Sequence, residues 1–162
     1  MPSPAAPRRG LLAIAAVCIA AVGAALVAQH GFDMQPCPWC ILQRLIYLVI
    51  AVLCIGAAFS AGSARRALGA LAIVLALAGI ASAVWQHVVA AKQFSCNLTL
   101  ADTLITALRL ESLAPPLFQV TATCADAAVS LFGVPFEYWS LALFALVALA
   151  LVALLRRTEP AA

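Results

Sequence analysis

Residues 37–59 read CPWCILQRLIYLVIAVLCIGAAF, a Cys-Pro-Trp-Cys running straight into an apolar stretch over 41–59 whose one charged side chain is Arg44. Helical residues rise about 1.5 Å each, so a run of this length crosses the ~30 Å hydrocarbon layer of a bilayer. Three more such runs flank it, at 11–28, 67–89 and 139–155, the last near the lower limit of length. Gly23, Gly56, Gly69 and Gly79 punctuate the runs, and small residues let helices approach closely in lipid. Helices are the expected spanning structure because each backbone N–H and C=O then finds its partner within the segment. The fold class read from this pattern is an all-α membrane protein, a four-helix transmembrane bundle.

Composition supports the same class. Of 162 residues, 66% are hydrophobic and only 9% charged, against about 25% charged in an ordinary soluble domain. A chain this short buries too small a fraction of its surface to hide so much apolar area from water. The basic residues behind the net charge of +3 fall in three separated pairs rather than one patch, which argues against a nucleic-acid partner.

Those pairs set the direction of insertion. Arg8-Arg9 precede the first run, Arg65-Arg66 sit between the second and third, and Arg156-Arg157 follow the fourth. With four spans all three places share one side, which the positive-inside rule makes cytoplasmic, together with both termini and the turn at 60–66. The other side holds a short loop over 29–40 and a long one over 90–138, where Lys92 and Arg109 face Asp33, Asp102, Glu111, Asp126 and Glu137. Arg8-Arg9 before an apolar run also resemble a secretion signal. The run is longer than a usual signal core and Gln29-His30-Gly31 is a weak cleavage site, so a retained span is expected.

The six cysteines divide in the same way. Cys18 and Cys54 lie inside apolar runs and read as inert packing thiols. Cys37, Cys40, Cys96 and Cys124 all fall in the outer loops, the compartment where thiol–disulfide chemistry persists. Cys37 and Cys40 form a C-x-x-C, the usual redox-active spacing, although half a metal site or a structural disulfide would share it. Cys40 is expected in the first turn of a helix, where free N–H groups and the positive dipole end favour a thiolate. Arg44 follows it by four residues, on the same helical face, and an arginine inside a span is expensive and usually functional. It is a candidate for steadying a Cys40 thiolate or for hydrogen bonding to an acceptor oxygen; snorkelling to head groups is the plain alternative. Cys96 and Cys124 can staple the long loop, or exchange with the first pair.

Between them, Leu100, Leu104 and Leu108 with Ala101 and Ile105 approximate one apolar face, and Asp102, Thr106 and Arg109 lie off it. This predicts a short amphipathic helix on the membrane surface, ending before Pro115-Pro116; a helix packed under the loop is nearly as consistent. His30 and His87 fall near the outer ends of spans one and three. A haem between them would leave four outward cysteines unused, so no haem or metal is expected. His87 is a candidate for proton donation at an acceptor site, and His30 reads as an interfacial residue. Trp39, Trp85, Tyr138 and Trp139 are placed as interfacial anchors.

Together these features resemble the bacterial disulfide bond formation protein B family, the DsbB membrane quinone reductases. The resemblance rests on Cys37-Pro38-Trp39-Cys40 followed by Leu42-Gln43-Arg44, and on Cys96 and Cys124 in the second outer loop. It also rests on Cys124-Ala125-Asp126, then Leu131-Phe132-Gly133-Val134-Pro135, leading into Trp139-Ser140. With the four-span plan it covers roughly 11–155. It implies a bacterial inner-membrane protein with periplasmic active cysteines and a DsbA-like partner, a periplasmic thioredoxin-fold oxidase. By that resemblance the partner attacks a Cys96–Cys124 disulfide at Cys96, Cys124 then exchanges with Cys37, and Cys40 is freed toward a quinone positioned by Arg44. Ubiquinone or menaquinone would be the electron acceptor, and His87 resembles a family histidine near its pocket. Two other functions fit less well. A thiol reductase working in the opposite direction would need a cytoplasmic donor path, for which Cys18 is too isolated. A structural or assembly protein with stapling disulfides would leave Arg44 without a purpose.

Overall fold

The computed structural model describes residues 5–90, 99–127 and 129–157. Four long helices dominate it: α1 (Ala5–Gly31), α2 (Pro38–Phe59), α3 (Gly62–Val88) and, after the outer loop, α7 (Phe136–Arg157). All four are long and apolar enough to cross a membrane. The protein is therefore an α-helical, four-span membrane bundle. Three helices begin before their apolar runs: α1 and α3 carry Arg8-Arg9 and Arg65-Arg66 within their first two turns, and α7 starts at Phe136. Helical hydrogen bonding does not stop where hydrocarbon stops, so the elements outrun the hydropathy pattern. The link from α2 to α3 is correspondingly tight, just Ser60 and Ala61 before Gly62, which takes a left-handed φ of +55°. Arg65 closes that turn by donating to the Ala57 and Ser60 carbonyls.

The helices pack in chain order, α1 on α2, α2 on α3 and α3 on α7, while α1 and α7 meet only briefly. Leu11, Cys18, Ile50, Cys54, Phe144 and Leu151 are fully buried along the shared axis. Cys18 and Cys54 thus sit in the apolar core, as their positions within the runs imply. One close approach organises the centre. The Phe144 ring stacks on Tyr47 with centroids 4.0 Å apart and planes within 2°. The same ring meets Gly79, where a Cβ would lie 2.5 Å from ring carbons. Only glycine leaves room for that ring on α3.

The outer loop carries three short helices, α4 (Leu100–Ala107), α5 (Leu110–Leu113) and α6 (Pro115–Phe118), and a two-stranded hairpin, β1 (Ser130–Leu131) with β2 (Val134–Pro135). A capping box starts α4: Thr99 accepts from the Asp102 N–H, and the Asp102 carboxylate accepts from the Thr99 N–H at 2.9 Å. The apolar face expected of this helix splits into two stripes. Ala101 is buried in the main core and Ile105 in a small cluster with Ile41, Leu110 and Phe118, whereas Leu100, Leu104 and Leu108 point outward. One helix is thus seated on the bundle by one stripe and offers the other to its surroundings.

Candidate active site

Cys37 is the N-cap of α2, and its Sγ accepts from the Cys40 N–H at 3.4 Å. Pro38 occupies the first helical position, where a missing N–H costs nothing. Cys40 therefore falls in the first turn, as expected, and the two sulfurs stand 3.0 Å apart. A third sulfur joins them. The Pro36 carbonyl accepts from the N–H groups of Thr121 and Ala122 at 3.1 and 3.3 Å, which ties the long loop to the short one just ahead of Cys37. Beyond that tie, Thr123 and Asp126 close a turn, with their side chains 2.6 Å apart and the Asp126 N–H donating back to Thr123. This turn presents Cys124 to Cys37 and to the Trp39 N–H. Hydrogen bonding between the thiols polarises the group. The Cys37 thiol is held well above the ordinary cysteine range by donating to Cys124 and Cys40, with burial adding to the effect. Cys124 is lowered chiefly because it accepts from Cys37, against the opposing pull of partial burial. Cys96 lies outside the described residues.

Beneath the cysteines is a cavity of about 780 Å³ between α1, α2 and α7, roofed by the hairpin and the short outer loop. Its wall is mostly apolar, with Cys40, Gln43, Arg44, Tyr47, Gln86 and Glu137 among its polar or titratable residues. Arg44 is 6% exposed. Its Nη1 donates to Gln29 Oε1 at 2.7 Å and to the Leu117 carbonyl at 3.1 Å, and its Nη2 to the Ala25 carbonyl at 3.5 Å. Snorkelling is thus not what this arginine does: it is buried, and it joins α1, α2 and α6. A guanidinium has more N–H groups than these acceptors use, and the cavity lies beside it. Gln86 donates to Cys40 Sγ at 3.3 Å and accepts from Gln43 at 2.8 Å, so the thiol has a fixed hydrogen-bond donor.

His87, expected near an acceptor site, lies just outside the large cavity. Its ring does not line the large cavity; its Nδ1 meets Glu137 Oε1 at 2.7 Å, and its ring tilts against Tyr138. The neighbour in sequence, Gln86, and the partner, Glu137, are what reach the cavity wall. Trp39 is also not an interfacial anchor, being buried against Trp85, while Trp85, Tyr138 and Trp139 are exposed and His30 lies at the surface. Sequence reasoning missed Gln29, Gln43, Gln86 and Glu137. Each is a polar residue within or beside an apolar run, and such residues face the protein interior for the same reason Arg44 does.

Fold and site together define a four-span membrane protein with a cluster of cysteines at one end of the bundle. Residues 7–154 match the family described as Disulfide bond formation protein DsbB. The chain is 34% identical over 156 residues to Disulfide bond formation protein B 1 of Pseudomonas syringae pv. syringae, covering 94% of this chain and 91% of that one. It is 31% identical over 159 residues to Disulfide bond formation protein B 1 of Pseudomonas aeruginosa, covering 94% and 98%. It is 32% identical over 152 residues to Disulfide bond formation protein B of Burkholderia thailandensis, covering 93% and 90%. The chain belongs to the DsbB family, and with that membership it is a membrane oxidoreductase with a redox role in disulfide chemistry.

Proposed function

We propose that the protein reoxidises a DsbA-like periplasmic thioredoxin-fold oxidase and passes the electrons to a membrane quinone. The orientation follows the arginine pairs, with termini in the cytoplasm and the four outer cysteines in the periplasm of a bacterial inner-membrane protein. A reduced partner thiolate attacks a Cys96–Cys124 disulfide at Cys96; the partner leaves as a disulfide and Cys96 and Cys124 become thiols. Cys124 then attacks a Cys37–Cys40 disulfide at Cys37, forming Cys37–Cys124 and releasing Cys40 as a thiolate. Attack by Cys96 on Cys124 restores the Cys96–Cys124 bond and leaves Cys37 and Cys40 reduced. Two electrons have then moved from the partner to the inner pair.

The single observation that carries this reading is that Cys37 touches both Cys40 and Cys124. A thiol able to exchange in two directions must reach both sulfurs from one place. The cavity below suits a flat ring with an apolar tail: it is roomy, mostly hydrocarbon-lined, and open to one thiol and a few polar groups. When bound, ubiquinone or menaquinone supplies the two-electron acceptor. Cys40 would face it, Arg44 and Tyr47 would orient it, and Gln86 would hold the Cys40 sulfur in place. Purified protein given the reduced oxidase should bleach the absorbance of a soluble ubiquinone analogue. A Cys40→Ser chain should lose this turnover and accumulate the Cys37–Cys124 disulfide, formed when the free Cys37 thiolate attacks Cys124 of the Cys96–Cys124 bond and Cys96 leaves as a thiolate; undiminished turnover in that variant would overturn the route.

A further inference from the structure

Glu137 is the most buried acidic side chain among the described residues, 6% exposed, in the first turn of α7. It stands at a boundary. Its residue lines both the large cavity and a small pocket of about 90 Å³ formed with His87, Val88 and Tyr138, and it is the one residue common to the two walls. His87, in the last turn of α3, contacts it through Nδ1 at 2.7 Å and keeps 38% of its own side chain exposed. A carboxyl facing an apolar cavity is costly unless a partner or a task compensates.

We propose that Glu137 and His87 form a proton-transfer pair that links the cavity to the outer surface and supplies a proton to the reduced acceptor. This inference rests on the quinone reading above and adds to it the route of the proton. Oxidation of the Cys37 and Cys40 thiols to a disulfide releases two electrons and two protons, the protons on the outer side. A quinone taking both electrons takes two protons to become the hydroquinone, so the overall exchange leaves the water unchanged. Glu137 gives one of these protons from its carboxyl to an acceptor oxygen in the cavity. His87 then passes its Nδ1 proton to Glu137 Oε1 while Nε2 takes a proton from the outer solution. The other titratable groups on the same cavity are Cys40, Arg44 and Tyr47 from α2, and Tyr138 of α7 stands beside His87. The described residues of α1 and the hairpin bring no titratable side chain to its wall.

The test separates the two halves of the reaction in the full-length protein. Pre-reduced protein is mixed with a soluble ubiquinone analogue and a single turnover followed across pH, while reduction of the resting protein by its thiol partner is timed separately. Glu137→Gln should slow the acceptor half by roughly 100-fold, the lower end of what a positioned acid contributes, and flatten its pH profile. It should leave the thiol half unchanged, and Glu137→Asp should recover part of the rate. In His87→Ala, added imidazole should restore the acceptor half. Independently of turnover, infrared difference spectra taken on filling the cavity with the analogue should contain a carboxyl band that Glu137→Gln removes. A Glu137→Gln protein with the wild-type rate and pH profile would overturn the inference while leaving the quinone reading intact. A wild-type chain that accepts electrons from the partner but reduces no quinone would overturn the quinone reading and this inference with it.

Discussion

In the reduced chain Cys124 and Cys37 make one hydrogen-bonded unit in which the buried thiol donates and the loop thiol accepts. Cys124 is lowered chiefly because Cys37 donates to it, which favours its thiolate form. Replacing Cys37 with alanine removes that donor, and the Cys124 value must rise. In the fully reduced protein, alkylation of Cys124 followed by mass spectrometry should therefore shift to higher pH and slow at neutral pH in Cys37→Ala. An unchanged profile would mean the thiol contact does not polarise Cys124. Arg44 invites a second prediction at this scale. Its acceptors come from three directions, Gln29, Leu117 and Ala25, which suits a planar fork and not a point charge. Arg44→Lys should keep the charge yet raise the quinone-analogue concentration for half-maximal turnover several-fold, and Arg44→Met should raise it further and lower thermal stability. The cysteines and Arg44 were legible in the sequence because each breaks an apolar pattern or a composition rule. Gln86 and Glu137 were not, since nothing in a linear sequence says that two residues so far apart face one cavity.

Among the elements, α4 is the clearest case of a pattern that fixes type but not placement. Its helical period and capping box are written locally, in Thr99, Asp102 and the spacing of Leu100, Leu104 and Leu108. Which stripe would be buried depends on Ile41 of α2, a residue far away in sequence that packs against Ile105. The same limit applies to the tie between Pro36 and Thr121–Ala122, which uses backbone groups that every residue has. These two contacts hold the loop that carries Cys124. Truncating Ile105 to alanine should cost about 2–5 kcal/mol of local packing, loosening that seat without touching a sulfur. In a Cys40→Ser, Cys96→Ser background, oxidative formation of the Cys37–Cys124 bond should then be slower than with Ile105 present. Leu104→Ser, on the outward stripe, should leave that rate alone. Equal rates for both substitutions would show that α4 does not position Cys124.

Across the whole molecule, four apolar runs announce four helices, yet lipid-facing and protein-facing residues are alike hydrophobic, so the runs do not say which helices touch. The sparse contact between α1 and α7, and hence the cavity, emerges only from packing. What holds α7 away from closing that space is the line from Gly79 through Phe144 to Tyr47. Phe144 is fully buried, pressed flat on Tyr47, and Tyr47 in turn donates to the Ser140 carbonyl at 3.1 Å while lining the cavity. A side chain at Gly79 must push a rigid ring that has nowhere to go except toward Tyr47 and the cavity. Gly79→Val should therefore lower the thermal midpoint in detergent by an amount matching about 1–3 kcal/mol of overpacking, and weaken binding of a quinone analogue at the same time. Phe144→Leu supplies the missing room, so the double variant should recover stability and binding relative to Gly79→Val alone, a coupling that two independent sites would not show. Additive losses in that cycle would mean that Gly79 acts on the helix itself and that the ring stack does not set the width of the cavity.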